Sequence, residues 1–349
     1  MRRFLGTLIL VLVIFGCVWA LWNKDKIDNP ADALRLARNQ FGEVVSSPRS
    51  GADLGSGPGN AQFASWSQAD QANREVIRIA TFNVQVFSPE KSGNRMVRAR
   101  LTEICRKFDL IALQDIRSTN KNLLPDFVRE LNSRGGQFGF VISPRVGRSG
   151  NREQTAYVFD QSRIQLDDSF SYTINDPDDV LQREPFVGWF RTRGPQMEHA
   201  FTFTLANFHL DSQQPELELA YLAELHRIIR KDGRGEDDVI LLGDFNANDQ
   251  SLEVARQKAG LEWVLANTAT NTRGTAQYDN IIYDPLATDE FTGRSGVYDF
   301  MKQMNLTLNE ALAISDHMPV WAEFSIYEAG RPKRVAEQVQ DLIDEMETR

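Results

Sequence analysis

The sequence predicts an α/β protein in which two β-sheets pack face to face and helices cover their outer surfaces, a four-layer sandwich. Two observations predict it. From about Val76 onward, apolar strand-like runs alternate with helix-like runs, the pattern of layers packed around a core. Polar residues also recur at the ends of those apolar runs, where α/β folds place their sites.

The elements follow in order. IRIATFNV (77–84) reads as a buried strand, Arg95–Phe108 has helical periodicity, and DLIALQD (109–115) is a second apolar strand. A helix over 121–133 precedes strand-like pieces at 138–143, 155–160, 185–192 and 201–208. Pro215–Arg230 reads as one amphipathic helix and DDVILLGD (237–244) as a strand. YDNIIYD (278–284) and HMPVWAEFSI (317–326) complete the set.

Ahead of this body, Arg2 and Arg3 precede Phe4–Trp22, whose only non-apolar members are Gly6, Thr7 and Gly16. That length spans a bilayer as a helix, and the paired arginines orient it so that everything downstream is exported. Residues 1–22 are therefore expected to be a signal anchor facing the periplasm or cell exterior. A cleaved signal peptide, giving a secreted protein, is the alternative, since Val18-Trp19-Ala20 resembles a cleavage site. Residues 23–75 read as a flexible tether, because Ser46–Asn60 is mostly Ser, Gly and Pro. The catalytic body is expected over 76–327. In the 328–349 tail, Val335, Val339, Leu342, Ile343 and Met346 have the spacing of an amphipathic helix that packs on its own domain.

Composition narrows the chemistry. The 349 residues are 42% hydrophobic and 25% charged, which excludes a disordered, collagenous or coiled-coil protein. Two cysteines, Cys17 and Cys105, exclude a disulfide scaffold and a multi-cysteine zinc site, and Cys105 reads as an inert buried thiol. A net charge of −9 removes the simplest nucleic-acid signature, a basic domain. It is compatible with an enzyme that holds cations among carboxylates and binds phosphate locally.

Asn83, Asp115 and His209 end three of the apolar strands, and Asp244 and Asn246 end another. Asp279 opens YDNII, and Asp316 and His317 open the last strand. Singly, each has an ordinary explanation as a turn, cap or structural residue. Together they gather carboxylates and two imidazoles at one end of a sheet, which is costly unless a cation or shared protons neutralise them. Oxygen ligands without thiolates suit Mg²⁺, Mn²⁺ or Ca²⁺. The expected chemistry is metal-assisted phosphodiester hydrolysis, with one histidine accepting a proton from water and another protonating the leaving oxygen.

LQDIR (113–117), GDFNA (243–247), YDNI (278–281) and SDHMPV (315–320) resemble the signature boxes of the endonuclease/exonuclease/phosphatase superfamily. GRSGNRE (147–153), REP (183–185) and ALAISDH (311–317) are similar to its deoxyribonuclease I branch. The resemblance runs from about Val76 to Ile326 and implies the deoxyribonuclease I-like sandwich. It implies that His317, oriented by Asp279, activates the attacking water. His209, supported by Glu153, would act on the leaving 3′ oxygen. Asn83, Asp115, Asp244 and Asp316 would hold or surround the metal, and Asn246 would bind the scissile phosphate. Arg117 would contact the DNA minor groove and Arg183 a phosphate. The pairings make chemical sense, because a carboxylate fixes an imidazole's tautomer and raises its basicity.

Two departures stand out. Asp115 replaces the family's glutamate with a carboxylate one methylene shorter, and Asn151 replaces a groove-stacking tyrosine. Arg145, Arg148 and Arg152 surround the loop before Glu153 as a candidate phosphate-attracting patch. The expectation is a monomeric, exported, Mg²⁺-dependent DNA endonuclease of low sequence specificity that leaves 5′-phosphates (Mn²⁺ or Ca²⁺ being alternative ions), with DNA as partner through its backbone, the membrane as partner through the N-terminal segment, and no protein partner. The alternatives are a phospholipid or phosphoinositide phosphodiesterase or phosphatase on the same scaffold, and a binding homologue impaired by Asp115.

Overall fold

A computed structural model describes residues 75–148 and 152–328. The expected leader (1–22), the tether up to residue 74, the tail beyond Glu328 and Asn151 lie outside the described residues. Among the described residues no helix is long and apolar enough to cross a membrane.

In chain order the elements are β1 (Val76–Phe87), α1 (Pro89–Gly93), α2 (Arg95–Cys105), β2 (Leu110–Ile116), α3 (Leu123–Ser133), β3 (Phe138–Ile142) and β4 (Gln154–Asp160). There follow β5 (Ile164–Thr173), β6 (Phe186–Thr192), β7 (Thr202–His209), α4 (Pro215–Leu219), α5 (Leu222–Arg230), β8 (Val239–Asp244) and α6 (Asp249–Ala259). The last are β9 (Glu262–Trp263), β10 (Asp279–Tyr283), β11 (Phe291–Val297), α7 (Phe300–Gln303), α8 (Leu308–Ile314) and β12 (Val320–Ser325). They form two six-stranded sheets, β11-β12-β1-β2-β4-β3 and β5-β6-β7-β8-β10-β9. Each sheet is antiparallel except at its centre, where β1 runs parallel to β2 and β7 to β8.

Three apolar clusters make four layers of this. Ile77 and Ile79 of β1, Leu110 and Ala112 of β2, Phe203 and Leu205 of β7, and Ile240 and Leu242 of β8 fill the space between the sheets. Phe82 and Leu113, on the outer face of the first sheet, pack with α2 (Leu101, Ile104) and α3 (Phe127, Leu131). Phe208 and Leu241, on the outer face of the second, pack with α5 (Leu222, Ile229) and α6 (Leu252). Each such side chain contributes about 1.5–3 kcal/mol when fully buried, so the predicted sandwich is held mainly by its strands' two apolar faces.

The same period of two builds the site. Along the inter-sheet face, β1 reads Ile77, Ile79, Thr81, Asn83; β7 reads Phe203, Leu205, Asn207, His209; and β8 reads Ile240, Leu242, Asp244. The face is apolar at one end and polar at the other, and the polar ends meet. Gly243 is required there. A Cβ at that position would lie 2.0 Å from the Phe208 carbonyl oxygen, so only glycine lets β8 run this close to β7 beside His209.

The predicted single helix over 215–230 is two helices. Tyr221 N–H bonds the Glu218 carbonyl in a tight turn, and Lys258 Nζ takes up the Ala220 carbonyl at 2.9 Å. The break leaves Glu218 buried, where its carboxylate accepts the Gln182 and Asp211 amides. Cys105 is a free, buried thiol, pushed up to about 12 by burial, as the sequence predicts.

Candidate active site

The ends of β1, β2, β7 and β8, the start of β10 and the segment before β12 converge on one buried polar cluster. Asp244 is its centre. Asn83 donates to Asp244 Oδ2 at 2.8 Å, bridging the two sheets, while Asp244 Oδ1 accepts the Asn246 amide at 3.0 Å. Asn246 stands in left-handed backbone, φ 48°, which asparagine tolerates, and donates its side-chain amide to the Leu210 carbonyl.

Both imidazoles face the same Asp244 oxygen. His209 Nε2 lies 3.6 Å and His317 Nε2 3.7 Å from Asp244 Oδ2. Each ring is fixed from behind by its own acid: His209 Nδ1 meets Glu153 Oε1 at 2.6 Å, and His317 Nδ1 meets Asp279 Oδ2 at 2.9 Å. Thr270 donates to the same Asp279 oxygen, and Tyr278 packs against the His317 ring. With Nδ1 engaged by a carboxylate, Nε2 is the nitrogen left to exchange protons.

These contacts set the protonation of the pair. Burial alone would lower His209, but the charges of Glu153 and Asp244 outweigh it and its pKa is raised. Burial likewise works against the charged form of His317, yet Asp279 and Asp244, assisted by Asp316, push it up to about 10. For Asp115, burial raises the carboxyl, but His209, Arg117 and the Val86 amide lower it further, so it stays ionised.

Asp115 owes its direction to a bulge. The pairing of β2 with β4 shifts between Leu113 and Ile116, and Asp115 adopts φ 63°. Its carboxylate accepts the Val86 N–H at 2.6 Å and the Arg117 guanidinium, and one of its oxygens groups within 4.8 Å with atoms of Glu153 and His209. Asp244, Asp279 and His317 form a second such group. Asp316 stands 3.8 Å from His317 Nε2, and its Oδ1 is buried without a hydrogen-bond partner. These two groups and the orphaned Asp316 oxygen offer carboxylate oxygens of the kind that suits a hard divalent cation.

The arginines are placed differently from one another. Arg183 is buried behind Glu153, paired with its Oε2 at 3.0 Å and donating to the His209 carbonyl, so it braces that dyad. Arg117, about a third exposed, points from Asp115 toward the surface. Arg145 and Arg152 donate to each other's backbone carbonyls, and Arg148 pairs with Asp179.

Several supporting residues escape sequence reasoning. Gln114 donates to Thr81 and Asn207, joining the sheets beneath the cluster. Lys91 donates to the carbonyls of Val84, Gln85 and Ile314, clamping the left-handed Gln85-Val86 end of β1 to the end of α8. Burial lowers its ammonium to about 8 despite the charges of Asp115 and Asp316. No local sequence pattern marks Gln114, Asn207 or Lys91.

The model of the endonuclease/exonuclease/phosphatase family matches residues 80–317, from the first core strand through His317. The chain belongs to this family. Its relatives within the family include deoxyribonuclease-1-like 1 of Sus scrofa, 32% identical over 263 residues that cover 72% of this chain and 82% of the relative. Deoxyribonuclease gamma of Rattus norvegicus is 29% identical over 70% of this chain and 83% of its own. Among solved structures, a humanized D. rerio TDP2 superposes with a TM-score of 0.50 at 15% identity, covering 72% of this chain and all of that one. A protein of Enterococcus faecalis of unknown function has the same TM-score at 18% identity, covering 70% and 98%. These structures share the fold. The family's enzymes act on phosphoesters, and the buried Asp, Glu and His groups supply a place for a metal.

Proposed function

We propose that this chain is a divalent-metal-dependent phosphodiesterase that cuts DNA internally and leaves 5′-phosphates, with Mg²⁺ as its ion. The observation that carries the reading is the pair of carboxylate-backed imidazoles whose Nε2 atoms face one oxygen of Asp244. The deoxyribonuclease relatives supply the DNA substrate, and Arg117 lies at the rim where a phosphate backbone would pass.

In the reaction, His317, oriented by Asp279, takes a proton from the attacking water as the new P–O bond forms. His209, whose pKa is raised chiefly by Glu153, gives a proton to the 3′ oxygen as the old P–O bond breaks. One diester and one water thus become a 5′-phosphate and a 3′-hydroxyl. Asn246, next to Asp244 in the chain and bonded to it, would hold the phosphate, and Arg183 keeps Glu153 in place. A divalent ion held by Asn83, Asp115, Asp244 and Asp316 would neutralise charge on the phosphate and on the acids that keep His317 protonated.

Plasmid nicking by the full chain tests the reading. Mg²⁺ should convert supercoiled DNA to relaxed and then linear forms, with EDTA or His209→Ala abolishing the reaction. Hydrolysis of phospholipid head groups without nicking would replace DNA by lipid as substrate, and silence on both would mark a binding homologue.

Asp115 makes a sharper prediction. Its carboxylate is already satisfied by Val86 N–H and Arg117, and aspartate suits φ 63° better than glutamate does. Asp115→Glu is therefore expected to lower kcat by about 10- to 100-fold, the cost of displacing a positioned group by roughly 1 Å. Steady-state kinetics showing equal or higher kcat would mean the site merely tolerates the shorter acid.

A further inference from the structure

We propose that the end of the sandwich opposite the two imidazoles holds a structural divalent cation, bound by Asp238, Glu290 and Glu328. Asp238 directly precedes β8, whose far end is Asp244, so one strand of about 20 Å separates the two sites. Glu290 precedes β11 and Glu328 follows β12, so the three acids join both sheets at their lower edge. One carboxylate oxygen from each lies within 4.8 Å of the other two.

Their surroundings make an unligated arrangement costly. Asp238 is 1% and Glu290 2% exposed, and Asp238 Oδ1 has no hydrogen-bond partner. The Thr288 hydroxyl, 3% exposed, lies beside Asp238 and adds a neutral oxygen to the acidic set. Glu328 is held by the Thr202 amide at 3.1 Å. Glu236 backs the cluster, accepting the Asp238 amide and the Trp189 indole N–H. Burial, with Glu290, Glu328 and Glu236, pushes the Asp238 carboxyl up to about 10. Burial with the neighbouring acids pushes Glu328 up to about 7. Buried carboxylates this close are neutralised by protons or by a metal, and three acids with a hydroxyl and no sulfur or imidazole suit Ca²⁺ or Mg²⁺. A cavity of about 480 Å³ lined by Trp189, Thr202, Glu236, Asp237 and Glu328 borders the cluster at Glu328.

The site shares no residue with the candidate active site and is independent of the reaction proposed there. Its test is Ca²⁺ titration by calorimetry, with melting curves, on the full chain and its Asp238→Asn variant, each also in an Asp244→Asn background. Asp238→Asn should remove one bound Ca²⁺ in both backgrounds, weakening that site at least about tenfold, and should abolish its share of the Ca²⁺-induced rise in Tm. In chelator the variant should melt at or above wild type, since asparagine mimics the protonated acid. Should Asp238→Asn fail to fold, Glu290→Gln must give the same loss. Unchanged Ca²⁺ stoichiometry and Tm response in the variants would overturn the site and leave a proton-sharing cluster.

Discussion

Replacing His317 with alanine is expected to lower kcat by about 10²- to 10⁴-fold, the range contributed by a positioned general base or acid. The loss should fall on kcat more than on KM, because His317 acts on the water and leaves the phosphate contacts of Asn246 in place. The fold should survive. His317 is held by side-chain contacts at one edge of the core, and Asp279 keeps its bond from Thr270 at 2.8 Å. A near-wild-type rate would remove His317 from the mechanism. The pH response of stability gives a second readout in chelator. The folded pKa, about 10, exceeds the ordinary value of 6.5, so the imidazolium's contribution is complete below about 6.5 and lost as pH rises toward 10. The alanine variant should lack that alkaline decline.

Asp244→Asn should be at least as damaging, lowering kcat/KM by about 10³-fold or more. Asparagine keeps the shape but offers one acceptor where Asp244 uses two oxygens, one for Asn83 and one for the Asn246 amide. It also removes the charge that both imidazoles face, at 3.6 and 3.7 Å, and a central oxygen ligand for a cation. Because the two changes disable one constellation, their effects should not add: the His317→Ala, Asp244→Asn double variant should be little slower than the worse single one. Additive losses would mean that Asp244 and His317 act separately.

The sequence discloses the parts of this fold that are buried on both faces. β1, β2, β7 and β8 are continuous apolar runs because helices cover one side and a second sheet the other. β5 and β11 escaped notice because they are sheet edges: IQLDDSFSYT and FTGRSGV are polar or glycine-containing, and each pairs with a break in register. The signals for α6 were present, Asn248 capping its start and Gly260 in left-handed backbone at its end, but its apolar face is narrow. At the site, residues ending apolar strands were readable because polarity interrupts a hydrophobic period. Gln114 and Asn207 were not, since the partner of each lies 93 residues away and leaves no local trace. Arg183 illustrates the same limit: the resemblance implies a phosphate contact, and its pairing with Glu153 is visible only in the packing.

The order in which the strands enter the first sheet bears on when this chain can become active. β12 lies inside the sheet between β11 and β1, and Ser315, just before it, donates to the Asn83 carbonyl 232 residues earlier. During synthesis β1 therefore waits, with one edge unpaired, until almost the whole domain has emerged. Such long-range pairing folds slowly, and no partial product contains His317 beside Asp244. A chain interrupted before residue 317 has neither the β12 partner of β1 nor the second imidazole of the site. Hydrolytic competence thus arises in one late step, after synthesis of the domain is essentially complete.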